Sequence, residues 1–276
     1  MITYETHLRK MNSTLPSEGV VSYSLRLMNN LEAGEVISMN DLIGQQISIE
    51  FTGEINCIET GESIKKTYGE GLSYDAWLKS PLACPSIVHP ELSRIHEGIA
   101  LRDYEWEMEY HMKPHVVYLS RTSHVKVGVT RETNVPSRWI DQGASEAIVL
   151  AQTPYRQLAG LIEVELKDHL SDKTSWQHML KGEVTDHRDL QEVKEAMLNL
   201  LPEEYESFFA DDDTITPIHY PGERRFEKVT SIKLDNTPQL SGQLDAIKGQ
   251  YLLFADGRVL NVRAHSGYRI RLSYES

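Results

Sequence analysis

The sequence predicts an α+β protein, with a central α/β core flanked by N- and C-terminal β-rich regions that can pack together into one β unit. Three observations carry this reading. Short apolar alternations of the kind that make half-buried strands crowd both ends of the chain. The centre reads strand, strand, helix, strand, helix in unbroken order. Between the first β region and the centre, Glu59 to Pro114 is rich in Gly, Pro, Tyr and His and holds no sustained period. The expected boundaries are 1–58, 59–114, 115–202 and 203–276.

Taken in order, Val20 to Leu27 alternates through Val21, Tyr23, Leu25 and Leu27, and Ile47, Ile49 and Phe51 alternate before Gly53. Between them, Ser38 to Gly44 reads as a turn or a single helical turn closed by glycine. So long an irregular stretch as Glu59 to Pro114 points to a functional or metal-organised segment, or to elements that pattern reading fails to assign. His115 to Ser120 is a strand, Arg121 to His124 a turn, and Val125 to Thr130 a second strand. A short helix follows, starting at Asn134 or Val135, with Pro136 near its first position and Gly143 ending it. Ala147 to Ala151 is a third strand. Tyr155 to Leu170 has an amphipathic pattern, with Leu158, Leu161, Ile162, Leu166 and Leu170 expected on one stripe. Helices are expected at Ser175 to Lys181, closed by Gly182, and at Asp186 to Leu201, stopped by Pro202. The acidic run Glu203 to Asp213 reads as a solvated connector. From Lys228 the chain is β again, with Asp256-Gly257 as a hairpin signal and Ser266-Gly267 ahead of a last strand, Tyr268 to Tyr274.

With 40% hydrophobic and 25% charged residues, the chain can bury a sizeable core. It has no apolar run near ~20 residues and no charged-then-apolar leader. The expectation is a cytoplasmic, untethered, unprocessed protein with no membrane partner. The net charge of −13 opposes indiscriminate phosphate binding. From Lys113 to Lys173, however, eight Lys and Arg residues meet seven Asp and Glu, a net of +1, so the remainder carries −14. Any nucleic-acid contact is therefore expected in the centre. The two cysteines, Cys57 and Cys84, are expected as reduced, largely buried thiols.

Four central segments carry a resemblance. They are Val116-Val117-Tyr118, Lys126-Val127-Gly128 with Thr130, Asn134-Val135-Pro136-Ser137-Arg138, and Ala159-Gly160-Leu161-Ile162-Glu163. In that order they resemble the motifs of the GIY-YIG nuclease superfamily, so that 115–202 is expected as a GIY-YIG-like domain. Val116 stands where the first motif has glycine, and Lys126 where the second has tyrosine. The resemblance implies metal-dependent phosphodiester cleavage, with Tyr118, Arg138, Glu163 and, in place of Arg138, Arg131 as catalytic candidates. Lys126, Gly128, Thr130 and Trp139 are then candidates for substrate binding, and nucleic acid is the implied partner.

The chemistry suits these residue types. Mg²⁺ is commonly held by one carboxylate plus waters, which Glu163 can supply. A guanidinium offers a planar, permanent charge to the non-bridging oxygens of a phosphodiester in its transition state. Tyr118 can position or deprotonate the attacking water, and Gly128 can let the backbone approach a phosphate or a packed helix. Plainer roles stand beside these: Tyr118 and Trp139 as core aromatics, Glu163 facing Lys167, and Arg131 and Arg138 paired with Glu132 and Asp141. The alternative function is a non-catalytic binding or scaffold protein on a degenerate nuclease-like fold.

The whole chain also resembles a prokaryotic family catalogued as a domain of unknown function (family 2797). The resemblance runs through Leu42-Ile43-Gly44, Lys65-Lys66, Val127 to Arg131, Arg138 to Ala144 and Ile247 to Leu252. It implies a cysteine-rich, zinc-ribbon-like insert at 59–114. Here that insert is degenerate, because Thr60, Ser73, Ala76, Ser86 and Ala100 fall where thiols are expected. Cys57, Cys84, His89, His96 and His111 have no finger-like spacing, so zinc is not expected. No phosphate-binding glycine loop, nucleophile elbow or paired-histidine helix is present, and nothing supports a Cys84–His nucleophile.

Overall fold

The computed structural model describes residues 1–17, 19–170, 175–222 and 226–275. Five strands come first: β1 (Ile2–His7), β2 (Asn12–Thr14), β3 (Ser22–Asn29), β4 (Glu32–Ser38) and β5 (Gln46–Ile55). Helix α1 (Tyr74–Lys79) and a string of 3-10 turns lead to α2 (Tyr104–His111). Then come β6 (His115–Arg121), β7 (Val125–Arg131), α3 (Ser137–Asp141), β8 (Glu146–Thr153) and α4 (Arg156–Lys167). Two more helices, α5 (Trp176–Lys181) and α6 (Leu190–Leu198), precede the short β9 (Thr216–Pro217). The chain closes with β10 (Thr230–Ile232), β11 (Gln239–Lys248), β12 (Tyr251–Phe254), β13 (Arg258–Asn261) and β14 (Tyr268–Tyr274). These elements fall into two units, one of Met1–Leu78 with His219–Ser276 and the other of Lys79–Ile218.

In the first unit the alternating runs of both chain ends enter one seven-stranded sheet, ordered β1-β14-β5-β11-β12-β13-β10. Strand β5 lies between two strands of the C-terminal region, with Ile49 opposite Leu272 on one side and Leu240 on the other. The period-2 pattern buries Ile47, Ile49 and Ile55. A three-stranded sheet, β2-β3-β4, buries Tyr23, Leu25 and Leu27 in the same way. Cys57 is buried and free. The Ser73 N–H donates to its Sγ at 3.2 Å. Burial pushes this thiol up, but hydrogen bonds from the Thr60 hydroxyl and the backbone at Thr60, Ser73 and Glu59 outweigh burial and leave it below its ordinary value. Two of the positions where the resemblance expects thiols, Thr60 and Ser73, thus carry hydrogen-bonding groups directed at the Cys57 sulfur.

The second unit is organised by a four-stranded antiparallel sheet, β7-β6-β8-β9. Every residue of β6 is buried. Val117 and Leu119 share one core with Ala159, Ile162 and Leu166 of α4 and with Leu190, Val193 and Met197 of α6. The stripe of α4 differs from the expected one, because Leu161 is 38% exposed while Ala159 and Gly160 are buried. Helix α4 is covered on a second side by the turn Pro90–Leu92, which displaces the burial away from Leu161. Helix α6 is shorter than expected because Asp189 caps it, accepting from the N–H groups of Gln191 and Glu192. The acidic run is not a free connector. Tyr205 is buried, Phe208 and Phe209 pack on the core, and the buried Lys194 ammonium donates to the Ala210 and Asp212 carbonyls.

Prolines explain the missing period between Lys79 and Pro114. Three successive 3-10 turns, Pro81–Ala83, Pro85–Ile87 and Pro90–Leu92, each begin on proline, whose fixed φ suits a first helical position and whose missing N–H stops longer elements. The Glu107 carboxylate, fully buried, then gathers the N–H groups of Leu101, Arg102 and Asp103 on one oxygen. Among the described residues no helix is long and apolar enough to cross a membrane.

The contact between the last of these turns and α4 can be tested directly. A Cβ on Gly160 would lie 2.3 Å from the Glu91 nitrogen and 2.5 Å from the Pro90 carbonyl carbon, both backbone atoms that cannot swing aside. Gly160→Ala is expected to cost about 1–3 kcal/mol in urea unfolding. A change inside about 0.5 kcal/mol, the usual range for an inconsequential surface change, would contradict the close approach.

Candidate functional site

The sheet of the second unit puts Tyr118 at its middle. Its cross-strand partner on β7 is Gly128, and its neighbour on β8 is Val149. A Cβ on Gly128 would sit 2.7 Å from the Tyr118 hydroxyl and 2.8 Å from Cζ, so the glycine is there to admit the phenol. The sequence reading, which gave Gly128 a phosphate or a packed helix as its neighbour, did not name this ring. The hydroxyl donates to Gln142 Oε1 at 3.0 Å, and the ring tilts against Trp139, 6.0 Å between centroids. Both partners come from α3 and its C-terminal cap. Tyr118 is 0% exposed. Burial pushes its pKa up, Arg138 pulls it down and Glu163 pushes it further up. A neutral, enclosed phenol donates a hydrogen bond and cannot take a proton from solvent water, so the structure leaves Tyr118 a positioning role. Trp139, 3% exposed, is a core residue without a free face for a base.

A second group surrounds a cleft of about 210 Å³. Arg131 at the end of β7, Arg138 on α3 and Arg156 on the first turn of α4 line it, with Thr130 and Asn134. Its opposite wall is Ile87 together with Trp106, Tyr110 and His111 of α2. The Arg131 guanidinium lies over the Tyr110 ring, 4.7 Å from its centroid. Arg156 is fixed by its own bonds, donating from Nε to the Ser86 carbonyl at 2.7 Å and from Nη2 to the Ile87 carbonyl at 2.9 Å. Burial lowers it to about 10.

Two buried histidines lie by these arginines, His111 in the cleft lining and His115 against Arg156. His115 Nδ1 sits 2.7 Å from the Lys113 carbonyl, and its Nε2 sits 3.4 Å from Arg156 Nη1. A carbonyl only accepts and a guanidinium only donates, so Nδ1 carries the proton and the ring is neutral. Burial, opposed by the Lys113 carbonyl and helped by Arg156 and Arg131, lowers His115 to about 4. Burial, and after it the charges of Arg156 and Arg131, lower His111 to about 3.

Glu163 faces a different cleft, of about 430 Å³, lined also by Lys126, Lys167, His89, Glu91 and Asp168. Burial raises its carboxyl to about 7, Arg156 opposes that, and Glu91 adds to it. The structure therefore divides the sequence candidates. Arg131, Arg138 and Thr130 share one cleft, Glu163 and Lys126 share the other, and Tyr118 lies beneath the sheet surface. Arg156 lines the first cleft and is coupled to Glu163 of the second. Among the described residues, no three His, Cys, Asp or Glu side chains converge as they would around a metal ion. Sequence reasoning missed Arg156, Glu91 and the α2 wall. Arg156 left one legible signal, a cation on the first turn of a helix, where the macrodipole disfavours positive charge. The wall left none, since Trp106, Tyr110 and His111 reach the cleft only through tertiary packing.

Compared with known proteins, residues 44–270 match the model of a family described as "Protein of unknown function (DUF2797)". No curated protein and no solved structure matches the chain.

Two outcomes are expected here. Gly128→Ala should destabilise the fold by about 1–3 kcal/mol through overpacking against Tyr118. In a Tyr118→Val background most of that cost should vanish, giving a coupling within the ~0.5–3 kcal/mol range of touching residues in a denaturation double-mutant cycle. Additivity of the two changes would refute the pairing. The second outcome concerns pH. The fold holds His115 at about 4 against 6.5 for a free histidine, so below 6.5 the unfolded chain binds the proton first. Stability from this group is therefore complete above pH 6.5 and is lost as pH falls toward 4. Between about pH 7 and about pH 5 the wild type should lose roughly 1–2 kcal/mol more than His115→Gln. Parallel pH profiles for the two proteins would refute the assignment.

Proposed function

The chain belongs to the DUF2797 family of proteins of unknown function, and from that premise we propose that its Lys79–Ile218 unit is a nucleic-acid-acting module of the GIY-YIG type, with metal-dependent phosphodiester cleavage as its reaction. The observation that carries the reading is the placement of the motif residues, Tyr118 on β6, Arg138 on α3 and Glu163 on α4. The strand, strand, helix, strand, helix order that bears them supports it.

Each residue then has a chemical part. Arg138, with Arg131 beside it, offers guanidinium forks to phosphate oxygens as negative charge builds on them. Tyr118 holds Gln142 and the α3 backbone so that Arg138 is presented from a fixed base. Glu163 would be the ligand for a divalent cation, in a cleft that also holds Glu91, Asp168, His89, Lys126 and Lys167. One carboxylate completed by waters is a donor set that Mg²⁺ takes. When bound, the cation would polarise a scissile phosphate. Lys126, in the second motif, adds positive charge to the Glu163 cleft. With −13 on the whole chain, attraction to a polyanion is confined to this surface.

A second reading has its own observation. The segment from Ser86 to Glu91 lies on α4, and both carbonyls bonded by Arg156 belong to it. A unit so covered would bind nucleic acid without cutting it.

A nuclease assay with Mg²⁺ on single- and double-stranded DNA and RNA, comparing wild type with Glu163→Gln and Arg138→Gln, decides between them. The cleavage reading expects each variant to lose roughly 10²–10³-fold. Equal cleavage by all three proteins would sink it. Binding by all three with cleavage by none would establish the second reading.

A further inference from the structure

We infer that the cleft between α2 and the three arginines is a site for a nucleotide phosphate, with the attached base stacked on the Trp106–Tyr110 pair. The inference rests on the nucleic-acid reading above for its ligand class, but it does not depend on cleavage, and it uses an α2 wall that the cleavage reading leaves idle.

The lining is unusual for so acidic a chain. Arg131, Arg138 and Arg156 come together, and no Asp or Glu is among the residues that line the cleft with them. Three like charges repel one another, so gathering them without a carboxylate at the same surface is costly unless an anion compensates. The arginines are also prepared for one. Arg156 is held by the Ser86 and Ile87 carbonyls, so little of its rotamer freedom remains to be lost. Arg131 is held over the Tyr110 ring, 4.7 Å from its centroid, and its planar fork of N–H groups suits a bidentate partner.

The rest of the lining narrows the ligand. Thr130 and Asn134 offer neutral hydrogen-bonding groups beside the guanidinium groups. Trp106 and Tyr110 form a half-buried ring pair, 4.6 Å between centroids, on the same wall. Aromatic faces next to arginines are the arrangement that takes a base and its phosphate together. A volume of about 210 Å³ lies below the ~300–1,000 Å³ of sites for whole drug-sized ligands, so the cleft admits a phosphate and one ring and excludes a duplex. The chemistry is thus that of a single phosphorylated nucleoside, either free or at the end of a strand.

Fluorescence titration of the full chain, with metal removed by a chelator, tests this. The probes are inorganic phosphate, AMP, a short oligothymidylate with a 5′-phosphate and the same oligonucleotide with a 5′-hydroxyl. The phosphorylated oligonucleotide or AMP should bind at least about tenfold more tightly than the hydroxyl-ended strand, the factor expected for a charge-assisted contact. Arg131→Gln should remove most of that preference. Trp106→Leu should weaken AMP about tenfold while leaving inorganic phosphate unchanged, and an unaltered melting temperature shows that each variant has folded. AMP binding as tightly as the phosphorylated strand assigns a free nucleotide, and tighter strand binding assigns a strand end. No preference for phosphate, a preference untouched by Arg131→Gln, or tighter binding of a phosphoserine peptide than of AMP overturns the inference. Because cleavage is not measured, a failed nuclease assay leaves this result standing, and cleavage without phosphate preference removes this inference alone.

Discussion

The half-buried guanidinium of Arg156 makes the interaction on which the second unit turns. It satisfies the Ser86 and Ile87 carbonyls, and so fastens the proline-started turns to the helix that carries Glu163. It also lies against His115 Nε2, which fixes that ring as a neutral acceptor. A guanidinium taken out of water needs several partners to repay its desolvation, and these groups provide them. The same charge opposes the upward shift of Glu163 and contributes to the downward shifts of His111 and His115. One side chain therefore acts, after burial, on the titration of His111, His115 and Glu163 together.

The elements that were legible in the sequence are those whose signals are local. Val116 to Ser120 and Val125 to Thr130 have the apolar character and the turn of a hairpin, and they pair residue by residue. Gly182 stops α5 in the left-handed region, and Asp256-Gly257 turns β12 into β13, because each turn is written in two or three adjacent residues. What was not legible depends on partners far away in sequence. Glu107 looks like one more surface carboxylate of an acidic helix, yet it is fully buried against three backbone donors. Leu161 has the helical spacing of a core residue and is exposed because a turn seventy residues upstream has taken the neighbouring face. The acidic run after Pro202 hides its anchors, Tyr205, Phe208 and Phe209, among charges.

The candidate site shows the same division. Residue types and order were readable: a tyrosine on the first central strand, an arginine on the short helix, a glutamate on the long one. Their exposure was not. Period-2 alternation says that Tyr118 points to one face of β6, but only the absent side chain of Gly128 and the tilt of Trp139 decide that the phenol is enclosed. Once enclosed, it ceases to be a candidate base and becomes the strut between sheet and α3. The proposed chemistry then falls to groups that solvent can reach, Arg131 and Arg138 in one cleft and Glu163 in the other.

Charge gives the arrangement its economy. A chain of net −13 that met nucleic acid over a broad surface would be repelled along most of it. Concentrating cations in a cleft without carboxylates confines attraction to a few ångströms, within which salt screening is weak and geometry decides what fits. Such a surface discriminates by the shape and charge of a ligand's end more than by its length. The carboxylate of Glu163 lies in the neighbouring cleft, where burial raises it and Arg156 restrains that rise. Arg156 lines the arginine cleft and interacts with Glu163 of the other, so opposite charges stay coupled while their clefts remain distinct. The proposed phosphate site needs that separation, because a carboxylate inside the cleft would compete with the phosphate for the guanidinium groups.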